Sequence, residues 1–441
     1  MITEIRLRDF KNFQDATLRL GPFSVVVGAN ASGKSNIRDA LRFLHGIGRG
    51  YTIAEIIGGR YGAGGHLEWA PMRGAVKEIV RLGETAFSIN VKMDLFSPST
   101  QDHPHEVDYG ISVENTSEGH DGFRVLSEFL TVDSKMVFET RHDVGALNTD
   151  DKRLIKPQFI FCAYDLKKEI PHDRSMLYQF ASLLIQHHIS QNSVEWTSFY
   201  ADMAISLQAV DMISYVLGRV RFFDLIPELM RKPAFPGQII LGDSGENLPG
   251  ALREICRQPD RKAILIDWLQ ELTPMDVVDF EFPQDAISGL VQLVMTERSG
   301  NKISAYSASD GTLRFLAMLA ALLGKNPASL YFFEQIDNGI HPSRLKLLLD
   351  LIETQTAKTG IQVVTTTHSP ELLTMIGDTT FENTSVVFRP PGSADAIIRR
   401  VADLPDAKRL RKKQGLGPLH ASGWMEDVLA FASADEAAAA K

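Results

Sequence analysis

Two stretches of this chain carry side chains suited to phosphate chemistry. The segment Gly28-Ala29-Asn30-Ala31-Ser32-Gly33-Lys34-Ser35 fits the spacing G-x-x-x-x-G-K-[ST] without a mismatch. Glycines there let successive backbone N–H groups turn inward around a phosphate, and the helix that follows adds its positive dipole end. Lys34 has the reach for β- and γ-phosphates, the Ser35 hydroxyl suits Mg²⁺, and Asn36 opens the helix. ATP or GTP binding is the expectation. Far along the chain, Leu330-Tyr331-Phe332-Phe333-Glu334 is an apolar run ending in a carboxylate, the position of the Mg²⁺-side acid in a phosphate-loop enzyme. A further run, Ile361 to Thr367, ends at His368, where an imidazole on the same sheet edge could reach a γ-phosphate. Ser307-Ala308-Ser309-Asp310-Gly311-Thr312 lies roughly 270 residues beyond the glycine loop. Such a separation requires that the fold, or a second copy of it, assemble the site.

The elements that must hold these residues can be read around them. Phe23 to Val27 is an apolar strand entering the glycine loop, and Ile37, Ala40, Leu41 and Leu44 recur at helical spacing after it. Leu313 to Leu323 reads as a buried helix behind the serine-rich segment. Short alternating runs between Glu78 and Asp133, such as Phe87 to Val91 and Phe123 to Leu126, predict antiparallel strands. From about Ser175 to Met230 the pattern turns helical (Leu183-Leu184, Ile189, Met203, Leu207, Met212, Val216), and a further helical stretch runs from Leu248 to Leu272. Trp196, Phe199 and Tyr200 read as core aromatics ahead of an exposed cluster. A strand pair is expected at Thr384 to Phe388 and Ile397 to Val401, before a short helical tail.

In this order, the glycine loop, serine-rich segment, acidic strand end, Asp337-containing loop and terminal histidine resemble the ABC-type ATPases. The branch is that of RecF, SMC and Rad50 proteins, the small AAA-type bacterial ATPases and the ATPase domains of overcoming-lysogenisation-defect nucleases. The opening Ile2 to Phe13 looks like their first strand and turn, and Glu334 to Pro342 is similar to their E-E-x-x-N-G-x-H-P pattern. The resemblance implies an α/β fold, a phosphate-loop NTPase head of ABC type with a mixed sheet, an antiparallel side sheet and an inserted helical lobe. Residues 1–174 would form the N-terminal half of the head, 175–275 the lobe, 276–405 the C-terminal half and 406–441 a helical tail. It further implies ATP and Mg²⁺ as cofactors, with Ser35 and Glu334 on the metal and Lys11 and Asn12 near the adenine. Ser309 and the backbone near Gly311 of a second copy would close over the γ-phosphate, giving an ATP-held homodimer or higher homo-oligomer. Many members of the branch serve in DNA repair or anti-phage defence, so a separate protein effector, a nuclease or toxin, is an implied partner, and DNA a second one.

Two positions depart from the family pattern. The signature reads Ala308-Ser309-Asp310-Gly311-Thr312 where many relatives have L-S-G-G-Q, although the working Ser and Gly are kept. More consequentially, Gln335 stands where the family has the glutamate that polarises the attacking water. A carboxamide can hold that water but cannot accept its proton. Hydrolysis of ATP to ADP and phosphate is therefore expected of the form with Glu at 335, and slow or absent turnover of this chain. Either the native protein has lost hydrolysis or a Glu-to-Gln replacement traps the bound state. The intact neighbours favour the replacement.

Composition narrows the class. The 441 residues can bury a large core, and the 44% hydrophobic content contains no unbroken run long enough for a membrane span. With no leader visible before the first strand, a cytoplasmic protein that avoids membranes is expected. Cys162 and Cys256 lack metal spacing. A net charge of −9 argues against a broadly DNA-coated surface, and the local run Lys408 to Lys413 reads first as a solvated helix face. His420 with Glu426 and Asp427 lacks the second anchor of a metal site. No nuclease domain is expected after the head.

Overall fold

The structure is a computed structural model and describes residues 1–97, 100–116, 122–142, 154–155, 157–161, 164–167, 170–182 and 196–439. Leu183, Leu184, Ile189 and Cys162 lie outside the described residues, as do the side chains of Trp196, Phe199 and Tyr200.

The central layer is a six-stranded sheet among the described residues, in the spatial order Val220–Phe223, Leu330–Phe333, Gln362–Thr367, Phe23–Val27, Thr384–Phe388 and Ile397–Arg400. Five of these strands run parallel, and only the last pairs antiparallel with its neighbour. Parallel strands need both faces covered, which is why Phe23–Val27, Leu330–Phe333, Gln362–Thr367 and Thr384–Phe388 are buried almost throughout. Alternation then divides their side chains. Val26, Phe222, Phe332, Val364 and Val387 enter one core, whereas Val25, Val27, Phe223, Phe333, Val363 and Val386 enter the other.

The first core lies under the expected side sheet. Ile2–Phe10, Phe13–Arg19, Ala86–Ser97, Thr100–Asn115, Phe123–Val132, Lys135–His142, Pro157–Phe161 and Tyr164–Lys167 form an antiparallel sheet, larger than the alternating runs alone suggest. Against it packs the helix Lys34–Gly48 that leaves the glycine loop, with Phe43 and Phe10 set edge-on to Phe87 at 5.4 and 5.3 Å. The second core is roofed by the helices Asp310–Leu323 and Pro342–Thr359. One carboxamide joins the strand starts: Gln362 accepts from the backbone N–H of Ile2 at 2.6 Å and donates to the carbonyls of Ile2 and Gly21.

The helical reading of Ser175 to Met230 holds for Trp196–Leu217 and fails at Val220–Phe223, which is the edge strand of the central sheet. A four-residue strand directly after a 22-residue helix leaves too little periodicity to separate the two. The stretch Leu248 to Leu272 is two helices, Leu248–Cys256 and Pro259–Leu272, because Pro259 begins a new first turn. A small antiparallel sheet of Val277–Glu281, Val294–Glu297 and Lys302–Ser304 follows, unheralded in the sequence pattern. The strand pair near the end is present as expected.

Candidate functional site

The glycine loop bridges the strand Phe23–Val27 and the helix Lys34–Gly48. Two of its glycines are demanded by space. A Cβ on Gly28 would fall 2.2 Å from the Val387 carbonyl oxygen, and one on Gly33 would fall 2.9 Å from Asn12 Nδ2 at a φ of +117°. Ala31 takes the left-handed conformation at φ 61°, which curls the loop further. The Ser32 hydroxyl is buried inside this curl with no hydrogen-bond partner among the described residues. Lys34 Nζ donates to the carbonyls of Gly28 (2.5 Å) and Ala29 (2.7 Å), closing the loop on itself, and burial lowers the pKa of its ammonium. Ala29, Asn30 and Ser35 are exposed at the rim.

Parallel pairing brings the acidic strand end to this loop. The Ser35 hydroxyl lies 3.5 Å from Glu334 Oε1 although 299 residues separate them. Gln335 follows at φ 49°, a left-handed turn that leaves its side chain exposed, and its N–H donates to Thr366 Oγ1 at 3.2 Å. His368 is exposed at the end of the neighbouring strand Gln362–Thr367. The residues fit a nucleotide phosphate and a magnesium ion: a cradle only glycine can line, an unsatisfied buried hydroxyl, and a hydroxyl beside a carboxylate. No group of three His, Cys, Asp or Glu side chains gathers among the described residues. Ser35 and Glu334 would hold such an ion together with phosphate or water oxygens.

Ser309 and Gly311 occupy a different place. Ser309 caps the helix Asp310–Leu323, accepting from the Thr312 N–H at 3.1 Å, and remains exposed. Gly311 sits where a Cβ would meet the Gly339 carbonyl oxygen at 2.6 Å, so this helix start rests on the loop after Gln335. Arg231 fastens the same turn, donating to the Ala308 carbonyl (3.1 Å) and to Asp310 Oδ1 (2.5 Å). Among the described residues no hydrogen bond links Ser309 or Gly311 to the glycine loop of their own chain. The Asp337 Oδ1 atom nearby is buried without a hydrogen-bond partner among the described residues.

Lys11 and Asn12 stand behind the loop with their polar atoms engaged. Lys11 Nζ pairs with Asp39 at 2.5 Å and donates to the Arg73 carbonyl, while Asn12 accepts from Asn36 Nδ2 at 2.7 Å. Around them lie residues that the sequence reading did not single out. Arg73 bonds Asp39 (3.2 Å) and the Ser35 carbonyl (2.6 Å) and lies 3.5 Å from Glu334; Arg38 lies 3.7 Å from the same carboxylate. Arg38 and Asp39 are three and four positions after Ser35, a helical spacing that could have flagged them. Arg73 has no local signal. Asp224 is also placed here, because the pairing of Phe223 with Phe333 sets the next residues, Asp224 and Glu334, side by side at the sheet edge. Reading that strand as helix hid it.

Beyond the site, the basic run is largely paired within the chain: Lys408 with Glu382, Arg409 with Asp406 and Arg411 with Asp378. His420 Nδ1 comes within 3.9 Å of Glu426, and no third His, Cys, Asp or Glu joins them among the described residues. Burial pushes the free Cys256 thiol up to about 12. No helix among the described residues is long and apolar enough to cross a membrane.

The chain is similar in shape to the SMC head bound to the C-winged helix domain of ScpA (14% identity, TM-score 0.47, covering 90% of this chain and 96% of that one). It is likewise similar to the SMC head domain from Thermotoga maritima (11% identity, TM-score 0.41, 91% and 98%). A Pyrococcus yayanosii SMC head with a coiled coil and joint gives 11% identity, a TM-score of 0.44, and coverage of 93% and 99%. No curated protein matches. Residues 23–374 match the family model described as "AAA domain, putative AbiEii toxin, Type IV TA system". That match runs from the glycine-loop strand to the helix after His368, and the protein belongs to this family of AAA-type ATPase domains.

Proposed function

We propose that this protein is an ATP-binding switch whose two copies close on each other around bound nucleotide and control a separate effector, a nuclease or toxin, in anti-phage defence. The observation that carries the nucleotide reading is the meeting of Ser35 with Glu334, beside Lys34, at the carboxyl end of the parallel strands. Magnesium, when bound, would supply charge neutralisation between phosphate oxygens. Lys34 would exchange its two loop carbonyls for phosphate oxygens, which makes the present Lys34 contacts a resting arrangement. Glu334 would turn from Arg73 and Arg38 toward the ion, leaving Arg38 for developing negative charge while Arg73 stays on Asp39 and the Ser35 carbonyl. His368, exposed on the adjacent strand end, is assigned the sensing of the terminal phosphate.

Ser309 supports closure by a second copy. It lies exposed at a helix N-terminus with its hydroxyl on Thr312 of the same turn, and the positive dipole end there suits phosphate. Contacts made only in the closed pair are what let nucleotide shift the equilibrium. The AbiEii toxin named in the family description supports an effector-linked defence role.

Gln335 favours a second reading, a non-hydrolysing scaffold with structural ATP. ATP turnover and mass of this chain beside its Gln335→Glu variant decide between them. Turnover rising at least 100-fold in the variant, with an ATP-held dimer that then dissociates, supports the switch. Equal inactivity and unchanged mass in both forms, with ATP bound, supports the scaffold. Failure of Lys34→Ala to reduce ATP affinity would remove the nucleotide reading itself.

A further inference from the structure

A second cleft, about 580 Å³ in volume, opens along the free edge of the strand Val220–Phe223 and is lined by none of the glycine-loop residues. Its size is that of a site for a small organic ligand. Three helices end at it. Arg49 caps the end of Lys34–Gly48, Arg219 follows Trp196–Leu217, and Lys325 follows Asp310–Leu323.

Charge on the lining does not cancel. Of the other ionic groups there, Arg221 is paired with Asp243 at 2.7 Å, and Glu68 at 3.0 Å shares Arg60 with Glu55 at 3.5 Å, so that group keeps one negative charge. Arg49, Arg219 and Lys325 meet no carboxylate among the described residues. Arg219 instead donates to the Pro327 carbonyl and stacks on Tyr215, and Arg49 reaches the Tyr51 hydroxyl at 3.4 Å. Cations after helix ends are ordinary, since each helix C-terminus carries roughly −0.5 of a charge. Three such ends together supply about −1.5 against three full positive charges. With the uncompensated carboxylate of the Arg60 group counted, an excess of about half a positive charge remains, inside a protein whose net charge is −9.

The floor adds a directional group. His45 donates Nδ1–H to the Leu217 carbonyl at 3.0 Å, and burial lowers its pKa to about 4, so the ring is neutral. With Nδ1 committed as donor, Nε2 is left as an acceptor for an N–H or O–H. Phe223, Tyr331 and Ile239 provide apolar and aromatic wall.

We infer that this cleft is a second ligand site, for a small phosphate monoester with a planar body. The phosphate would sit among Arg49, Arg219 and Lys325, and the planar body would lie against Ile239 and Ile240, lining side chains that keep open apolar surface. The inference is independent of the nucleotide reading.

Phenyl phosphate and inorganic phosphate are the probes, titrated calorimetrically against the full chain. Phenyl phosphate is expected to bind saturably and at least tenfold more tightly than inorganic phosphate. Its affinity should persist in Lys34→Ala and fall at least tenfold in Arg219→Gln/Lys325→Gln. Arg49→Gln serves as a second variant if the double one melts early. Absence of saturable binding, equal affinity for the two probes, loss in Lys34→Ala, or indifference to the cleft variants each overturns the inference.

Discussion

Asp39 shows how a residue with no part in phosphate contact can govern the site. Its side chain is 2% exposed and that of Lys11 only 8%, so the pair is a buried one. Removing one member of a buried pair strands the other charge, at a cost of about 3–5 kcal/mol. Asp39→Asn is therefore expected to lower the unfolding free energy by that amount, read as an earlier midpoint in urea unfolding. It should also loosen Arg73, whose grip on the Ser35 carbonyl depends on the same carboxylate. Gly28→Ala tests the cradle more directly. Its Cβ would collide with a backbone carbonyl rather than a movable side chain. A loss of about 1–3 kcal/mol in stability is expected from such overpacking, together with at least a tenfold loss in fluorescent nucleotide affinity.

Elements depend on single buried groups as well. Glu128, on the side-sheet strand Phe123–Val132, accepts from the Tyr109 hydroxyl (2.8 Å), the Ser175 hydroxyl (2.6 Å) and the Met176 N–H (2.7 Å). It thereby pins the segment around Ser175 to the sheet. Burial raises its pKa from 4.5 to about 7, against the opposing pull of its donors. Between those two values the folded protein holds a proton that the unfolded chain has released. This contribution to stability is full below about pH 4.5, declines as pH rises and is gone above about 7, a span on the order of 3 kcal/mol. Glu128→Gln should flatten that slope in melts recorded from pH 5 to 8, with the wild-type slope otherwise falling toward alkaline pH.

How much of this was legible in the sequence differs by element. The glycine-loop strand, its helix, the acidic strand and the strand before His368 all lie where local periodicity puts them, because each is long or flanked by a sharp motif. Val220–Phe223 and the small sheet from Val277 were not, since short strands take their identity from neighbours distant in sequence. Asp224 and Arg73 were hidden for the same reason: their place beside Glu334 exists only once the sheet is paired.

At the scale of the whole molecule, charge decides what it can coat. The basic helix Ala407–Gln414 has Lys408, Arg409 and Arg411 in ion pairs, leaving Lys412 and Lys413 for an outside anion. If duplex DNA binds through this helix, two phosphate contacts give a slope of about −2 in log affinity against log salt. A steeper slope in a salt titration would place DNA on another face. Neutralising both lysines should leave the stability within about 0.5 kcal/mol of the parent, as for other unpaired surface sites.

The order of strands in the central sheet also sets a timetable for making the protein. Phe23–Val27 is finished early, yet both of its neighbours, Gln362–Thr367 and Thr384–Phe388, are among the last strands to be synthesised. Roughly 330 residues must be added between Val27 and Gln362, which takes roughly 15–70 s on a ribosome adding 5–20 residues per second. Throughout that interval a largely apolar strand waits with two open edges. The side sheet, complete much sooner, can fold while the chain is still growing and shelter it on one face. The nascent chain is thus most dependent on chaperones in the stretch before residue 362 emerges, and a ribosome stalled there would hold a half-built head with no nucleotide site.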